Sequence, residues 1–154
     1  MIEGTYPVRN LFHALTERGL ERQNLKDEET VEYITNMLTE FVDTDKLSRF
    51  SGETEARTGS PYDYYKHLGD LTLFNLGLYP EHLTYGRHTV SLSVYLQQGR
   101  RSYKILAAMD RPRTPGVFRK LSDQFEQCVV GLNWVKLYIN DPFYQYVFRE
   151  FGVT

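Results

Sequence analysis

The sequence has very little of the chemistry that defines the common enzyme and metal-binding classes. Its single cysteine, Cys128, rules out a disulfide within the chain. One cysteine and scattered histidines also exclude zinc sites built from paired Cys and His ligands. Glycine-rich nucleotide loops, the P-loop and the Gly-x-Ser-x-Gly nucleophile motif are absent. The sequence therefore predicts no catalytic residue, no metal and no cofactor, and it leaves enzymatic activity open.

Long apolar runs and an excess of positive charge are also missing. No stretch approaches the roughly 20 consecutive apolar residues of a transmembrane helix, and the N-terminus lacks the apolar core of a signal peptide. The formal net charge of −2 provides no basic field for sequence-independent binding to nucleic acid. These absences predict a cytoplasmic protein whose partner is neither a membrane nor a nucleic acid.

What is present is an ordinary globular composition with helical periodicity. The 154 residues are 41% hydrophobic and 25% charged, which fits one domain over residues 1–154 with a real core. The spacing of apolar residues predicts an all-α single-domain bundle of about six helices, and no strand. The predicted helices are Pro7–Arg22, Asp27–Asp43, Pro61–Tyr79, Gly86–Met109, Pro115–Ile139 and a short one from Pro142. A polar stretch without periodicity predicts a mobile loop at about residues 48–60.

Two local patterns set the strongest helix predictions. Ser60, Pro61 and Asp63 combine an N-cap serine, a proline at the first helical position and an acidic residue three after the cap. Farther along, apolar residues recur at intervals of three and four: Val117, Leu121, Phe125, Cys128, Leu132, Val135 and Ile139. This seam predicts the central core helix of the bundle, with a homodimer seam as the alternative.

The stretch GDLTLFNLGLYPE raises the question of what Asp70 does. The residues after it are apolar on nearly every side of a helix, which predicts that this helix is enclosed. A carboxylate at the start of an enclosed helix needs a partner, because an unpaired buried charge is very costly. Asp70 is therefore predicted to be a buried anchor, paired with an arginine. The candidates are Arg100, Arg101 and Arg119.

The alternative is that Asp70 belongs to a ligand pocket between the third and fourth predicted helices. His67 and Asp70 are three residues apart and share a helical face, while Tyr95, Gly99 and Tyr103 follow one another at intervals of four. The candidate pocket residues are His67, Asp70, Phe74, Tyr95, Gly99 and Tyr103. A metal site formed by His67, Asp70 and His13 is a further reading, in which nothing fixes the third ligand.

Part of the chain resembles a known pattern. The pattern lies within residues 61–108 and consists of Gly69, Asp70, Leu73, Phe74, Gly77, Pro80 and Glu81, followed by Tyr95, Gly99 and Tyr103. It resembles the pattern of a family of uncharacterised bacterial helical proteins. The resemblance implies a bacterial helical protein. It brings no activity and transfers no catalytic residue.

Together these features predict a helical module that acts through protein–protein contact or self-association. Its partner would be a second copy of the chain or another protein. The alternative is a small-molecule-binding or enzymatic helical bundle with a pocket near Asp70.

Overall fold

The computed structural model describes residues 5–41, 60–80, 91–109 and 116–140, with side chains from residue 8 onward. These residues form six α-helices: α1 (Thr5–Glu21), α2 (Glu28–Phe41), α3 (Pro61–Leu78), α4 (Leu92–Ala108), α5 (Val117–Asp123) and α6 (Phe125–Ile139). They contain no strand, and the predicted all-α single domain is confirmed. Within these ranges, no helix combines the length and apolar content that crossing a bilayer requires.

The predicted start of α3 is confirmed in detail. The backbone N–H of Asp63 donates to Ser60 Oγ at 3.3 Å, and the Ser60 N–H donates to Asp63 Oδ2 at 3.4 Å. Pro61 occupies the first helical position, where a missing N–H has no intrahelical partner to lose. The helix ends at Leu78, because the proline at position 80 disfavours helical geometry in the residue before it.

The first turn of α2 is fixed by Asp27 and connected to α5. Asp27 Oδ2 accepts the backbone N–H of Thr30 at 2.9 Å, which satisfies one of the free donors at the helix start. Lys120 of α5 then donates to Asp27 Oδ1 at 2.9 Å and to Glu29 Oε1 at 2.8 Å. The acidic N-terminus of α2 therefore also holds α5 in place.

The prediction of one helix through the apolar seam is wrong, because the chain bends at Gln124. This residue has φ −117° and ψ 29° and separates α5 from α6. Contacts to α4 flank the bend on both sides. Before it, the Ser122 hydroxyl donates to the Arg100 carbonyl at 3.0 Å, and after it the Phe125 ring packs against Gly99. Both contacts hold the chain to α4 at this point.

The seam residues are buried inside the chain's own core. Those from Val117 to Val135 are at most 2% exposed, and only Ile139 is half-buried. Helix α6 packs against α1 and α3, and α5 packs against α4. The seam is therefore buried within one chain, so these residues do not offer a surface for the homodimer that was the alternative prediction. Cys128 is the predicted buried core cysteine, and burial raises the pKa of its thiol to about 12.

Glycines let α3 and α4 pack closely against their neighbours. A Cβ at Gly77 would lie 2.5 Å from Leu132 Cβ, and one at Gly99 would lie 2.0 Å from Phe125 Cζ. Both distances are far below normal contact, so only glycine fits these positions without rearrangement. These two glycines therefore allow close contact between neighbouring helices.

Several predictions fall outside the described residues. These are the loop at 48–60 apart from Ser60, the beginning of the fourth predicted helix before residue 91, and the last helix from Pro142.

Candidate functional site

Asp70 is the most connected buried polar group among the described residues. It lies in α3 and is 5% exposed. The Tyr33 hydroxyl from α2 donates to Asp70 Oδ1 at 2.7 Å, and the Tyr103 hydroxyl from α4 donates to the same oxygen at 2.6 Å. Lys66, one turn earlier in α3, donates to Oδ2 at 3.1 Å. One carboxylate thus joins three helices, and both of its oxygens are hydrogen-bonded.

Aromatic packing holds the two phenols in place. Gly69 allows the Tyr103 ring to approach α3, since a Cβ there would lie 2.9 Å from Tyr103 Cε1. Phe118 of α5 stacks on Tyr103 with ring centroids 6.0 Å apart, and Tyr33 meets Phe118 edge-on at 5.6 Å. These rings surround the phenols with apolar surface and direct both hydroxyls to Asp70.

Burial and the carboxylate together keep the phenols protonated. Burial, followed by the negative charge of Asp70, raises the pKa of Tyr33 and of Tyr103 above the ordinary value. For Lys66, burial alone would lower the pKa, but the attraction of Asp70 and their hydrogen bond outweigh burial and raise it. The cluster therefore contains a lysine ammonium, a carboxylate and two neutral phenols.

This charge state predicts a loss of stability in alkali. Below pH 10 both phenols are protonated in the folded and the unfolded chain. Above the ordinary pKa of 10.0, the unfolded chain releases protons that the folded chain retains. The free energy of unfolding should therefore fall by about 1.4 kcal/mol per pH unit for each tyrosine.

Urea unfolding at a series of pH values above neutrality measures this slope. The double variant Tyr33→Phe, Tyr103→Phe should show a shallower decline, whereas Tyr64→Phe, which removes a 39% exposed phenol, should leave it unchanged. If the free energy of unfolding fell equally steeply with pH in all three proteins, the conclusion that Tyr33 and Tyr103 stay protonated in the folded chain would be wrong.

The predicted burial and pairing of Asp70 are confirmed, but the predicted arginine partner is wrong. Arg100 points to Glu126 of α6, with Nη2 and Oε1 at 2.8 Å. Arg101 and Arg119 are exposed. Lys66 could have been found from sequence, because it lies one helical turn from Asp70. Tyr33 could not, since it is 37 positions away and no local pattern connects it to Asp70.

The hollow beside Asp70 differs from the predicted pocket. It measures about 200 Å³ and is formed by α2 and α3, not by α3 and α4. Its lining residues are Glu40, Phe41, Asp63, Lys66, His67 and Asp70. Of the predicted pocket residues, only His67 and Asp70 line it, and Tyr103 contacts Asp70 from the side of α4.

The other predicted pocket residues lie elsewhere. Phe74 packs edge-on against Phe41 with centroids 4.7 Å apart, and Tyr95 is half-buried against the core. The space beside Gly99 is filled by the Phe125 ring. No gap for a ligand remains at this glycine.

His13 is not brought together with Asp70 and His67 as a metal ligand. Its Nε2 lies 2.9 Å from Glu28 Oε1 and 3.8 Å from Glu32 Oε1, both on α2. The predicted third ligand therefore belongs to a separate cluster between α1 and α2.

A second concave region lies on the outer face of α4. One hollow of about 470 Å³ is bordered by α3 and α4, with Tyr64, Leu68, Val94, Arg101 and Ile105 among its lining residues. An adjoining hollow of about 580 Å³ contains Arg100, Lys104 and Ala108 and shares Gln97, Arg101 and Ile105 with the first. We refer to these two hollows together as the α4 groove.

The α4 groove combines exposed apolar surface with exposed positive charge. Val94 is 51% exposed and Tyr64 is 39% exposed. Arg101 and Lys104 are exposed and form no ion pair with any residue in the described ranges, in contrast to Arg100. The basic residues of the groove are visible in the sequence, but their combination with apolar residues is not, because the lining comes from two helices and matches no motif.

No protein-family model, curated protein or solved structure matches this chain. The resemblance to uncharacterised bacterial helical proteins thus stays a prediction, and the function has to be inferred from the geometry of the described residues.

Proposed function

We propose that this protein is a non-enzymatic helical binding module whose α4 groove receives an acidic, partly apolar segment of another protein. The proposal rests on one observation: Arg101 and Lys104 lie beside exposed apolar side chains. Neither cation has an ion-pair partner among the described residues. A bacterial origin and a cytoplasmic location are part of the proposal.

The shape and charge of the α4 groove support this kind of partner. Leu68, Val94 and Ile105 offer apolar contacts in the first hollow, and Ile105 also lines the second. Amphipathic segments bind such grooves through apolar anchors at regular spacing. Carboxylates on the same segment would pair with Arg101 and Lys104, which favours acidic partners over basic ones.

The charge also supports a different protein over a second copy of the chain. A symmetric dimer uses the same patch on both subunits. It would bring Arg101 and Lys104 of each copy toward the same cations of the other. Such like-charge contacts oppose association.

A small-molecule site beside Asp70 has less support. The hollow there, about 200 Å³, is smaller than the roughly 300–1,000 Å³ of typical ligand pockets. Both oxygens of Asp70 are already hydrogen-bonded within the chain. This arrangement suits a structural anchor better than a ligand contact.

Selection of random peptides displayed on phage tests the proposal with a defined probe. Peptides enriched on the purified protein should combine acidic residues with aromatic or aliphatic ones. The double variant Arg101→Glu, Lys104→Glu should weaken their binding at least about tenfold, equivalent to about 1.4 kcal/mol. Binding should also weaken with added salt, because exposed charges are screened.

A matched control reverses two other exposed arginines without ion pairs in the described ranges, Arg18→Glu and Arg119→Glu. This control should retain peptide binding. Equal loss in both double variants, or enrichment of peptides without acidic residues, would contradict the proposal. Light scattering that shows a dimer disrupted by the α4 variant alone would instead identify a second copy as the occupant.

A further inference from the structure

We propose that His13, Glu28 and Glu32 form a binding site for a divalent transition-metal ion, with zinc as the best-fitting one. The site lies between α1 and α2 and is separate from the α4 groove. We refer to it as the α1–α2 site. Its three potential ligand atoms, one from each residue, all lie within 4.8 Å of one another.

The distances fit a single ion held by the three side chains. Zinc lies about 2.0–2.2 Å from nitrogen and oxygen ligands, so two ligands in tetrahedral geometry are about 3.4 Å apart. His13 Nε2 is 2.9 Å from Glu28 Oε1 and 3.8 Å from Glu32 Oε1. These two distances bracket the tetrahedral value, and the two carboxylate oxygens lie within 4.8 Å of each other, so side-chain rotations would place all three atoms around one ion.

The helices place the ligands in this arrangement. Glu28 and Glu32 are one turn apart on α2, so their side chains project from the same face. His13 approaches from α1, which packs against α2. An ion here would join two helices, as metal sites between facing helices of bundles do.

A neighbouring pair of residues orients Glu32. Arg9 donates to Glu32 Oε2 and also, at 2.9 Å, to Asn36 Oδ1. These contacts hold one carboxylate oxygen and leave Oε1 on the side of His13. Outer contacts of this kind fix the orientation of metal-binding carboxylates.

The ligand types select the metal. Imidazole nitrogen suits zinc, copper, nickel and iron, whereas calcium and magnesium prefer oxygen ligands throughout. One imidazole nitrogen and two carboxylate oxygens are all atoms that zinc accepts, and together they would fill three of its four tetrahedral positions and leave the fourth to water. Glu28 and Glu32 have side chains that are 65% and 41% exposed, so an ion can reach them from solvent.

The test uses zinc itself on the full chain after dialysis against a chelator. Competition with a chromophoric zinc indicator should show a single saturable equivalent, and cobalt substitution should give visible absorption bands of a tetrahedral site. His13→Gln should weaken zinc binding at least about tenfold, since losing even an outer contact has effects of this size. Glutamine can still donate a hydrogen bond to Glu28, so the fold should persist, and circular dichroism checks this.

The controls separate this site from other metal-binding groups. Glu32→Gln should weaken zinc binding in the same way as His13→Gln. His67→Gln removes the other histidine in the described ranges and should leave zinc binding unchanged, as should Glu126→Gln. Absence of saturable binding by the wild-type protein, or unchanged affinity in a folded His13→Gln variant, would overturn the proposal.

Discussion

Replacement of Asp70 by alanine is expected to lower the free energy of unfolding by about 2–5 kcal/mol, because each buried hydroxyl left without its acceptor costs about 1–3 kcal/mol. The substitution leaves the hydroxyls of Tyr33 and Tyr103 without their acceptor. It also leaves the Lys66 ammonium without its carboxylate. Urea denaturation followed by circular dichroism measures the loss.

Graded variants show where the loss comes from. Asp70→Asn retains an oxygen acceptor for the phenols but loses the charge that pairs with Lys66, so its loss should be smaller than that of Asp70→Ala. Tyr33→Phe and Tyr103→Phe should each cost about 1 kcal/mol, the typical net value of one hydrogen bond. These milder variants keep the prediction testable if the alanine variant does not fold.

Asp123 supplies the matched control for Asp70→Ala. It is exposed at the end of α5 and has no hydrogen bond or ion pair with a residue in the described ranges. Asp123→Ala should therefore change stability by no more than about 0.5 kcal/mol. A similar small change for Asp70→Ala would rule out the anchor role and restore the ligand-pocket interpretation.

Replacement of Gly19 by alanine should produce the second large effect. Gly19 of α1 faces Gly131 of α6, and an added Cβ would lie 2.4 Å from the Gly131 carbonyl oxygen. That oxygen belongs to a helix backbone and has no rotamer to change, so the two helices would have to separate. The expected loss is about 1–3 kcal/mol, the range for overpacking a well-packed core, despite the helical preference of alanine.

Comparison with two other glycines makes this prediction specific. Gly116 has helical φ and ψ angles, and no residue that the structure describes lies within 4 Å of an added Cβ, so Gly116→Ala should be close to neutral. At Gly99 the obstacle is the Phe125 side chain. The smaller Phe125→Leu should therefore partly rescue Gly99→Ala, while no side-chain change at Gly131 is available to rescue Gly19→Ala. If Gly19→Ala were as stable as Gly116→Ala, the close backbone contact between Gly19 and Gly131 would be contradicted.

Local signals in the sequence were sufficient for several features of the fold. The capping box of Ser60 and Asp63 involves residues three positions apart, so their chemistry alone identifies the helix start. The burial of Asp70 followed from the apolar residues around it, and that of Cys128 from the periodic seam. In each case one helix contains all the information that the prediction needs.

Features that depend on packing between helices could not be predicted in the same way. The bend at Gln124 leaves no gap in the apolar spacing, because hydrogen bonds from Gln124 to Lys120 and from Cys128 to Gln124 keep the helical register. Tyr33 and His13 obtain their roles only from helices that are distant in the chain. The candidate sites therefore required the three-dimensional arrangement, whereas the fold class did not.

The shared oxygen of Asp70 also has a consequence for how the protein folds. Tyr33 lies 37 positions before Asp70 and Tyr103 lies 33 positions after it, so neither contact is local. A partly assembled chain with only one of these helices docked would bury the carboxylate with incomplete pairing, which is costly. Such intermediates are disfavoured relative to both the unfolded and the complete structure. The anchor should therefore make the assembly of α2, α3 and α4 cooperative, so that the three helices form and separate as one unit.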